Sequence, residues 1–530
     1  MTTSVEIYDT TLRDGTQQEG ISLTARDKLR ICRLLDELGV AYIEGGWPGA
    51  NPKDDEFFAL AQTELGLERS KLVAFGSTRR SGVRPEDDEQ VQRLLAANTS
   101  TVCLVGKTWD YHVEHALRTT EDEAVAMIGD TVAYFKAQGR DVFFDAEHFF
   151  DGYQANPEFA VAAIQTAHDA GASRLVLCDT NGGFLSHEVE RTIGEVTEAV
   201  SDGTFGCHFH NDSGLAVGNS LMAVRTGVYQ VQGCVNGYGE RTGNADLCSV
   251  IPNLSVKMGI ETIPEDRLDK LTSVSHHVAE VINLTLDPHL PYVGSSAFTH
   301  KAGLHTSALA RRSDAYEHMS PLEVGNRTRV VVSELAGRST ILAKAQASGL
   351  DLTPDQAQAV VDEIKVKEHE GYLYEAADGS FELIARRATG WEQDFFSLES
   401  YRVFVEHRDG NVIAEATVKV HVGDERIVST REGDGPVSAM DRALRAALRD
   451  RYPAIDGFRL TDYRVRDLDS SDGTSARVRV LTSHSDVEST WDCVGVHQNI
   501  IDASWTAVAE GLIMGLVRAG ERADANGWDS

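Results

Sequence analysis

The first part of the chain alternates short β-branched runs with amphipathic helical stretches. The eight runs are VEIYD (5–9), AYIEG (41–45), KLVAFG (71–76), TVCLVG (101–106), DVFFDAE (141–147), RLVLCD (174–179), FGCHFH (205–210) and YQVQGCVNG (229–237). They recur at intervals of roughly 25–40 residues, each followed by a helical pattern. Eight consecutive strand–helix units predict an α/β fold closed into a (β/α)8 TIM barrel. An open doubly wound sheet is the alternative, but no GxGxxG follows the first run.

The helical stretches carry start and stop signals as well as periodicity. In residues 23–39, Thr24 precedes a run of leucines at helical spacing, and Gly39 follows it. A threonine at this place caps the first turn, and a glycine adopts the left-handed conformation that ends a helix. We therefore expect one helix between the first two strands.

Ionisable and polar residues gather at the carboxyl ends of the predicted strands, where TIM barrels carry their chemistry. The strand ends and the loops after them contain Asp9, Arg13, Asp14, Glu44, Glu147, His148, Asp179–Gly183, His208, His210 and Asn236–Asp246. This sorting predicts one polar site at the barrel mouth.

The segment HFHND (208–212) holds two histidines two residues apart. Residues i and i+2 of a strand point to the same side, so His208 and His210 are expected to face the barrel mouth together. With a carboxylate from another loop, they suit a divalent ion such as Mn²⁺, Zn²⁺, Co²⁺ or Mg²⁺. An ordinary outward-facing pair is the alternative for such a motif alone. Asn211 and Asp212 are expected to orient the two rings.

The composition limits the kinds of partner and compartment that we expect for the protein. Acidic residues outnumber basic residues 82 to 50, a formal net charge of −32, which argues against nucleic acid or an anionic membrane as a partner. No apolar run is expected to reach the ~18–20 residues of a membrane span, and the start of the chain does not resemble a signal peptide. The seven cysteines form no CxxC pair, which predicts reduced thiols in a cytoplasmic protein.

Three stretches together resemble the signatures of the isopropylmalate and homocitrate synthase family, in the DRE-TIM metallolyase superfamily. They are LRDGTQ (12–17) followed by Lys28, FGCHFHNDSGLAVG (205–218) and GERTGNAD (239–246). They stand in the family's order, and the resemblance covers nearly the whole chain. Within the family, DAEHFFDGY (145–153) and NGYGERTGNADL (236–247) most resemble the citramalate-forming branch of the longer bacterial type.

The resemblance implies a metal-dependent condensation of acetyl-CoA with a 2-keto acid, and it implies roles for individual residues. Asp14, His208, His210 and Asn244 match the metal ligands. The other matches are Arg13 (stabilising charge on the keto oxygen), Glu44 (holding Arg13), and Glu147 and Thr180 (around the keto acid). His305 and Tyr316, in the segment 298–321, match the groups at the acetyl-CoA end, and His305 is the candidate base.

The resemblance leaves the keto acid open. Pyruvate is favoured, with 2-ketoisovalerate and 2-oxoglutarate as alternatives, because Arg79 and Arg80 after the third strand are candidate cations for a second carboxylate. Lys301, Arg311 and Arg312 are candidate partners for the CoA phosphates or, equally, a solvated basic face. A metal-dependent lyase and a catalytically silent amino-acid sensor are alternatives of another class.

The end of the chain contains a βββα pattern twice, offset by roughly 64 residues. We expect a barrel over residues 1–270, a helical accessory region over 271–390 and an α+β regulatory domain over 391–530. The resemblance implies that this last domain forms a homodimer or larger oligomer and binds an amino-acid end product, with isoleucine favoured. The helix starts GDGPVSA (433–439) and VHQNIIDA (496–503) are the candidate effector sites, since helix N-termini accept carboxylates.

Overall fold

The computed structural model describes residues 3–300, 312–331, 337–408, 411–468, 477–487 and 489–521. The chain divides into two compact units, Met1–Phe298 with Glu317–Thr328 and Thr299–Tyr316 with Arg329–Ser530. The expected boundaries at residues 270 and 390 stay predictions.

The first unit contains a closed barrel of eight parallel strands in sequence order, which confirms the predicted fold. The strands are β1 (Glu6–Asp9), β2 (Tyr42–Gly46), β3 (Lys71–Ser77), β4 (Thr101–Lys107), β5 (Asp141–Glu147), β6 (Arg174–Asp179), β7 (Phe205–Phe209) and β8 (Gln230–Gly233). Strand β8 closes the ring by pairing with β1, with Gln230 opposite Glu6. It is shorter than predicted because Val235–Gly237 forms a 3-10 turn with Asn236 at φ 59°.

Helices follow the strands around the barrel. The helices of this unit are Ala25–Leu38, Pro52–Glu64, Glu89–Ala96, Asp110–His112, Glu121–Ala137, Phe149–Ala155, Pro157–Asp169, Ser186–Ala199, Ala216–Arg225, Leu247–Pro252 and Leu271–Ile282. The first begins with a capping box between Thr24 and Asp27 and ends at Gly39, whose φ of 89° is left-handed. Both predicted end signals are therefore confirmed, and they mark the two ends of the helix between β1 and β2.

The barrel interior is filled below its mouth. A cluster of buried side chains packs inside the ring, comprising Tyr8, Tyr42, Val73, Phe75, Cys103 and Phe143. A larger apolar core lies between the strands and the surrounding helices. The packed interior leaves the carboxyl ends of the strands as the place where polar side chains can meet a ligand.

The second unit begins with a short parallel pair of strands, β9 (Thr299–His300) and β10 (Arg329–Val330). The helices Arg338–Ala347, Pro354–His369 and Asp378–Ala388 follow. They bury Ile341, Val360, Ile364 and Phe381 in a common apolar cluster.

Two similar βββα units complete the chain and confirm the predicted duplication. The first contains β11 (Ser397–Arg408), β12 (Asn411–Val422), β13 (Glu425–Gly433) and the helix Pro436–Leu448. The second contains β14 (Arg459–Asp467), β15 (Val478–Ser485), β16 (Thr490–His497) and the helix Ile500–Arg518. Each sheet has three antiparallel strands in sequence order. The two helices carry alanines at matching positions, and all four are fully buried: Ala439, Ala443, Ala503 and Ala507.

One helix in the described part of the chain, Ile500–Arg518, is long and apolar enough to cross a membrane by length and composition alone. The expectation that no run reaches this length is therefore wrong. Its apolar character has a packing reason, since Ala507, Val508, Leu512 and Leu516 are buried in the unit. Such a composition is typical of a core helix.

Candidate metal centre and active site

A cavity of about 510 Å³ opens at the mouth of the barrel. Its lining includes Arg13, Asp14, Phe75, Lys107, Glu147, Thr180, His208 and His210, together with the apolar Val105, Ala116, Leu117 and Met127. The polar residues come from strand ends and the loops that follow them, as expected for a TIM-barrel site, whereas Met127 comes from the helix Glu121–Ala137. The cavity joins a polar floor to an apolar wall, which suits a small organic acid.

Asp14, His208 and His210 form a compact buried cluster at this floor. The Nε2 atom of His208 lies 3.3 Å from the Oδ2 atom of Asp14, and that of His210 lies 3.9 Å from it. The two Nε2 atoms are 3.3 Å apart. One atom from each of the three residues therefore converges on a common point, an arrangement that can hold a metal ion.

Asn244 lies beside this cluster through a β-bridge with His210. Its side-chain nitrogen donates to the carbonyl of Tyr238 at 3.1 Å, which fixes the direction of the amide. The bend that allows this needs a glycine, because a Cβ on Gly239 (φ 148°) would lie 2.1 Å from the Asn244 amide nitrogen. The amide oxygen of Asn244 is buried without a hydrogen-bond partner in the described chain.

The donor set fits a divalent ion. Asp14 Oδ1 and Asn244 Oδ1 are buried oxygens with no partner among the described residues, and such atoms are costly unless a ligand satisfies them. Burial and the charge of His208 lower the pKa of His210 to about 4, which keeps this imidazole neutral and able to bind a metal. Burial opposes ionisation of Asp14, but Arg13 and His208 hold its pKa far below the usual range.

Arg13 lies between two carboxylates and an aromatic ring. Its Nε donates to Glu44 Oε2 at 2.5 Å and its Nη1 to Asp14 Oδ2 at 3.2 Å. The guanidinium carbon lies 3.9 Å from the centre of the Phe75 ring. The other Glu44 oxygen accepts from the Tyr8 hydroxyl at 2.8 Å, and Glu44 is fully buried. The guanidinium is therefore held in one plane at the cavity floor.

Glu147 and Thr180 also line the cavity, on the β5 and β6 side. The Thr180 hydroxyl accepts from the backbone N–H of His148 at 2.9 Å. Glu147 forms an ion pair with Lys107, the residue opposite it in the β4–β5 register. Lys107 was not predicted from the sequence, although it directly follows the fourth apolar run and ends its strand.

The expected orienting role of Asn211 and Asp212 is wrong. The Asn211 side chain accepts from the backbone N–H of Ala216, and Asp212 forms an ion pair with Arg241 at 2.8 Å. Their side chains are engaged by the loops after β7 and β8, and His210 Nδ1 has no partner in the described residues. The ring of His208 is instead held by Gln232, at 2.9 Å from Nδ1.

Arg79 and Arg80 line the cavity but are engaged by carboxylates. The buried Arg79 forms ion pairs with Glu123 at 2.7 Å and Asp130 at 2.8 Å. Arg80 pairs with Asp88 at 3.1 Å and is largely exposed. The two cations considered for a second substrate carboxylate therefore already have partners within the protein.

Of the residues predicted to lie at the acetyl-CoA end, the structure describes only some. His305, Lys301 and Arg311 lie outside the described residues. Tyr316 follows the turn Ser313–Ala315 and is 48% exposed. Arg312 is exposed and pairs with Asp314 at 2.5 Å. The roles assigned to these residues stay predictions.

Comparison with known proteins places the chain in a family. The HMGL-like family model matches residues 4–278, the model "Homocitrate synthase post-HMGL domain-like" matches 292–371, and the model "LeuA allosteric (dimerisation) domain" matches 375–516. The three models follow one another along the chain.

Curated relatives match the chain over nearly its whole length. The (R)-citramalate synthase of Streptomyces coelicolor is 51% identical, covering 98% of this chain and 97% of that protein. The (R)-citramalate synthase of Aquifex aeolicus is 47% identical, with coverages of 98% and 99%. That of Synechocystis is 49% identical, with coverages of 97% and 96%. The chain therefore belongs to the HMGL-like family and, within it, to the group that contains the (R)-citramalate synthases.

Proposed function

We propose that the protein is an (R)-citramalate synthase, an acyltransferase that condenses acetyl-CoA with pyruvate and hydrolyses the thioester to give citramalate and CoA. The observation that carries the proposal is the cluster of Asp14, His208 and His210 beside the unsatisfied oxygen of Asn244, with Arg13 adjoining. Near-complete similarity to (R)-citramalate synthases supports the choice of reaction.

The floor of the cavity would bind the keto acid through its keto and carboxylate oxygens. A divalent ion held by Asp14, His208, His210 and Asn244 supplies Lewis-acid polarisation of the keto carbonyl when bound. Arg13 is positioned beside this cluster with its plane held by Glu44. It donates N–H groups to the keto oxygen as negative charge develops there.

The condensation needs a base at the methyl group of acetyl-CoA. We assign this role to His305, assisted by Tyr316, because imidazole titrates in the useful range. The base removes a methyl proton, and the electron pair left on carbon forms the new bond to the keto carbon. The carbonyl electrons move to the keto oxygen beside Arg13. This alkoxide oxygen then takes up a proton. Water adds to the thioester carbonyl, and CoA leaves as its thiol.

Glu147 and Thr180 are proposed to contact the keto acid from the β5 and β6 side. Lys107 neutralises Glu147 at the cavity wall, so this side presents a paired charge rather than a free carboxylate to an anionic substrate. The Thr180 hydroxyl, already accepting from the His148 N–H, can donate its own proton to a substrate oxygen.

Pyruvate is the proposed keto acid, supported by the similarity to (R)-citramalate synthases. A second carboxylate, as in 2-oxoglutarate, needs a cation of its own, and Arg79 is already neutralised by Glu123 and Asp130. The apolar wall formed by Val105, Ala116, Leu117 and Met127 suits an uncharged substituent. 2-Isopropylmalate and homocitrate synthesis are the alternatives, with the same chemistry on another keto acid.

The terminal βββα units are proposed to regulate the enzyme within a homodimer or larger oligomer. The match to the allosteric dimerisation domain supports this assignment. Isoleucine is the proposed effector, and the helix starts at 433–439 and 496–503 are its proposed sites. We further propose that the protein is cytoplasmic, since all seven cysteines lie among the described residues as buried free thiols.

The test is release of CoA thiol by the full-length protein with Mn²⁺, acetyl-CoA and each of the three keto acids in turn, with product identification by mass spectrometry. Fastest turnover with pyruvate, giving citramalate, is expected. Faster turnover with 2-ketoisovalerate or 2-oxoglutarate would assign one of the alternatives instead. Adding isoleucine to the same assay tests the effector, and unchanged turnover at every concentration would contradict it.

A further inference from the structure

Hydrogen bonds connect three polar side chains from the barrel interior to the metal cluster. The carboxylate of Asp145 (β5) accepts from the side-chain nitrogen of Gln232 (β8) at 3.0 Å. The side-chain oxygen of Gln232 lies 2.9 Å from Nδ1 of His208 (β7). All three residues are buried, with Asp145 3% exposed and Gln232 fully buried. No bulk water therefore competes for these contacts.

The hydrogen bonds among these three side chains have a defined donor and acceptor at each contact. The NH₂ group of Gln232 faces Asp145 and donates to its Oδ1 atom, because an amide nitrogen donates and a carboxylate oxygen accepts. Burial raises the pKa of the Asp145 carboxyl, and the charge of His208, the Cys103 thiol and Arg13 oppose this rise. The carbonyl oxygen of Gln232 must then face the His208 ring, and an oxygen there requires a proton on Nδ1. In the neutral imidazole that binds a metal, the lone pair is then on Nε2, the atom 3.3 Å from Asp14.

We propose that Asp145 and Gln232 are positioning residues that fix His208 in the tautomer able to bind the metal. This inference rests on the proposed function, because it concerns the same metal centre. A ligating histidine whose second nitrogen is held by an acceptor is oriented and made more basic. His210 has no such support, since its Nδ1 lacks a partner in the described residues. Asp145 and Gln232 therefore position His208 and not His210.

Strand β8 offers a matched control. Gln230 lies two residues before Gln232 on the same strand and is also fully buried. Its amide nitrogen donates to Glu6 at 3.2 Å, and its contacts do not include His208. A role that is only structural would make the two glutamines equivalent, whereas the proposed role assigns an effect on metal binding to Gln232 alone.

The experiment measures Mn²⁺ binding to chelator-treated full-length protein by electron paramagnetic resonance of the free ion. We expect Gln232→Met to bind Mn²⁺ roughly 10–100-fold more weakly than the wild type. Gln230→Met should keep the wild-type affinity. Thermal unfolding of both variants, without metal, checks that they fold equally well.

The outcomes separate this inference from the proposed function. Wild-type affinity in Gln232→Met would overturn the positioning role while leaving the metal centre and the reaction intact. An equal loss in Gln230→Met would also overturn it, as a sign of general disruption. Absence of Mn²⁺ binding by the wild-type protein would contradict the metal centre, and therefore both the proposed function and this inference.

A second variant covers a failure of Gln232→Met to fold. In Asp145→Asn the new amide can donate as well as accept, so Gln232 is free to turn over and present its NH₂ group to His208. Mn²⁺ affinity should fall by several-fold, roughly 3–10-fold, less than in Gln232→Met because the required tautomer stays accessible. Unchanged affinity in Asp145→Asn would overturn the inference.

Discussion

Replacing Arg13 with lysine tests whether the planar guanidinium is needed at the cavity floor. Arg13 makes two directed hydrogen bonds, to Glu44 at 2.5 Å and Asp14 at 3.2 Å, and stacks on Phe75 at 3.9 Å. A lysine ammonium is a point donor and cannot keep all three contacts and also donate to substrate. Loss of one charge-assisted hydrogen bond costs about 1.5–3 kcal/mol of stability. Loss of an oxyanion donor costs about 2.7–4 kcal/mol in the transition state, or roughly 10²–10³ in kcat.

The assay is CoA thiol release with saturating pyruvate, acetyl-CoA and Mn²⁺, and the matched control is Arg174→Lys. Arg174 also forms a part-buried pair, donating through Nε and Nη2 to Glu6 at 2.9 Å, but it lies at the start of β6, away from the barrel mouth. Both variants should show a lowered Tm, and only Arg13→Lys should lose kcat. A folded Arg13→Lys enzyme with the wild-type kcat would refute the reasoning.

Three further predictions concern the metal, the backbone and pH. Asn244→Ala should weaken Mn²⁺ binding at least about tenfold, because it removes the unsatisfied buried oxygen; a titration with the wild-type midpoint would contradict this. Gly182→Ala should lower stability by more than about 1 kcal/mol, since φ is +63° and a Cβ would lie 2.5 Å from an Asp212 oxygen; an unchanged Tm would show otherwise. Burial raises the pKa of Asp36, but hydrogen bonds from the backbone N–H groups of residues 68–70 bring it below its usual value. A carboxyl group whose pKa is lower in the folded state stabilises the fold above its unfolded pKa, and this stabilisation is lost as pH falls through its folded pKa. The Tm difference between wild type and Asp36→Asn should therefore be full at neutral pH and vanish in acid. A Tm difference that does not depend on pH would contradict this prediction.

The barrel could be predicted from sequence because its signals are local. Each strand is a short apolar run, and each helix carries its own period and caps, as Thr24 and Gly39 demonstrate. His208 and His210 were recognisable for the same reason, since a spacing of two in a strand determines that the side chains share a side. Once eight units imply closure, the strand ends and the residues after them, including Asp14, must meet at one mouth.

The contacts behind the ligands could not be predicted, because they join residues far apart in the chain. Gln232 reaches His208 across 24 positions and Asp145 across 87. The neighbouring Asp212 was the obvious sequence candidate, but Arg241, from the loop after β8, engages it instead. Similarly, no local pattern reveals that Arg79 pairs with Glu123, which lies in the helix Glu121–Ala137.

The most direct test of the account is whether the keto acid and the metal bind at one centre. Pyruvate binding, measured by calorimetry without acetyl-CoA, should be at least about 5-fold tighter to Mn²⁺-loaded protein than to chelator-treated protein, within the usual range of coupling between two ligands. The variant His208→Ala with His210→Ala should lose this difference, since it removes both imidazole ligands from the cluster with Asp14. Equal pyruvate affinity with and without Mn²⁺ in the wild-type protein would contradict the proposed site.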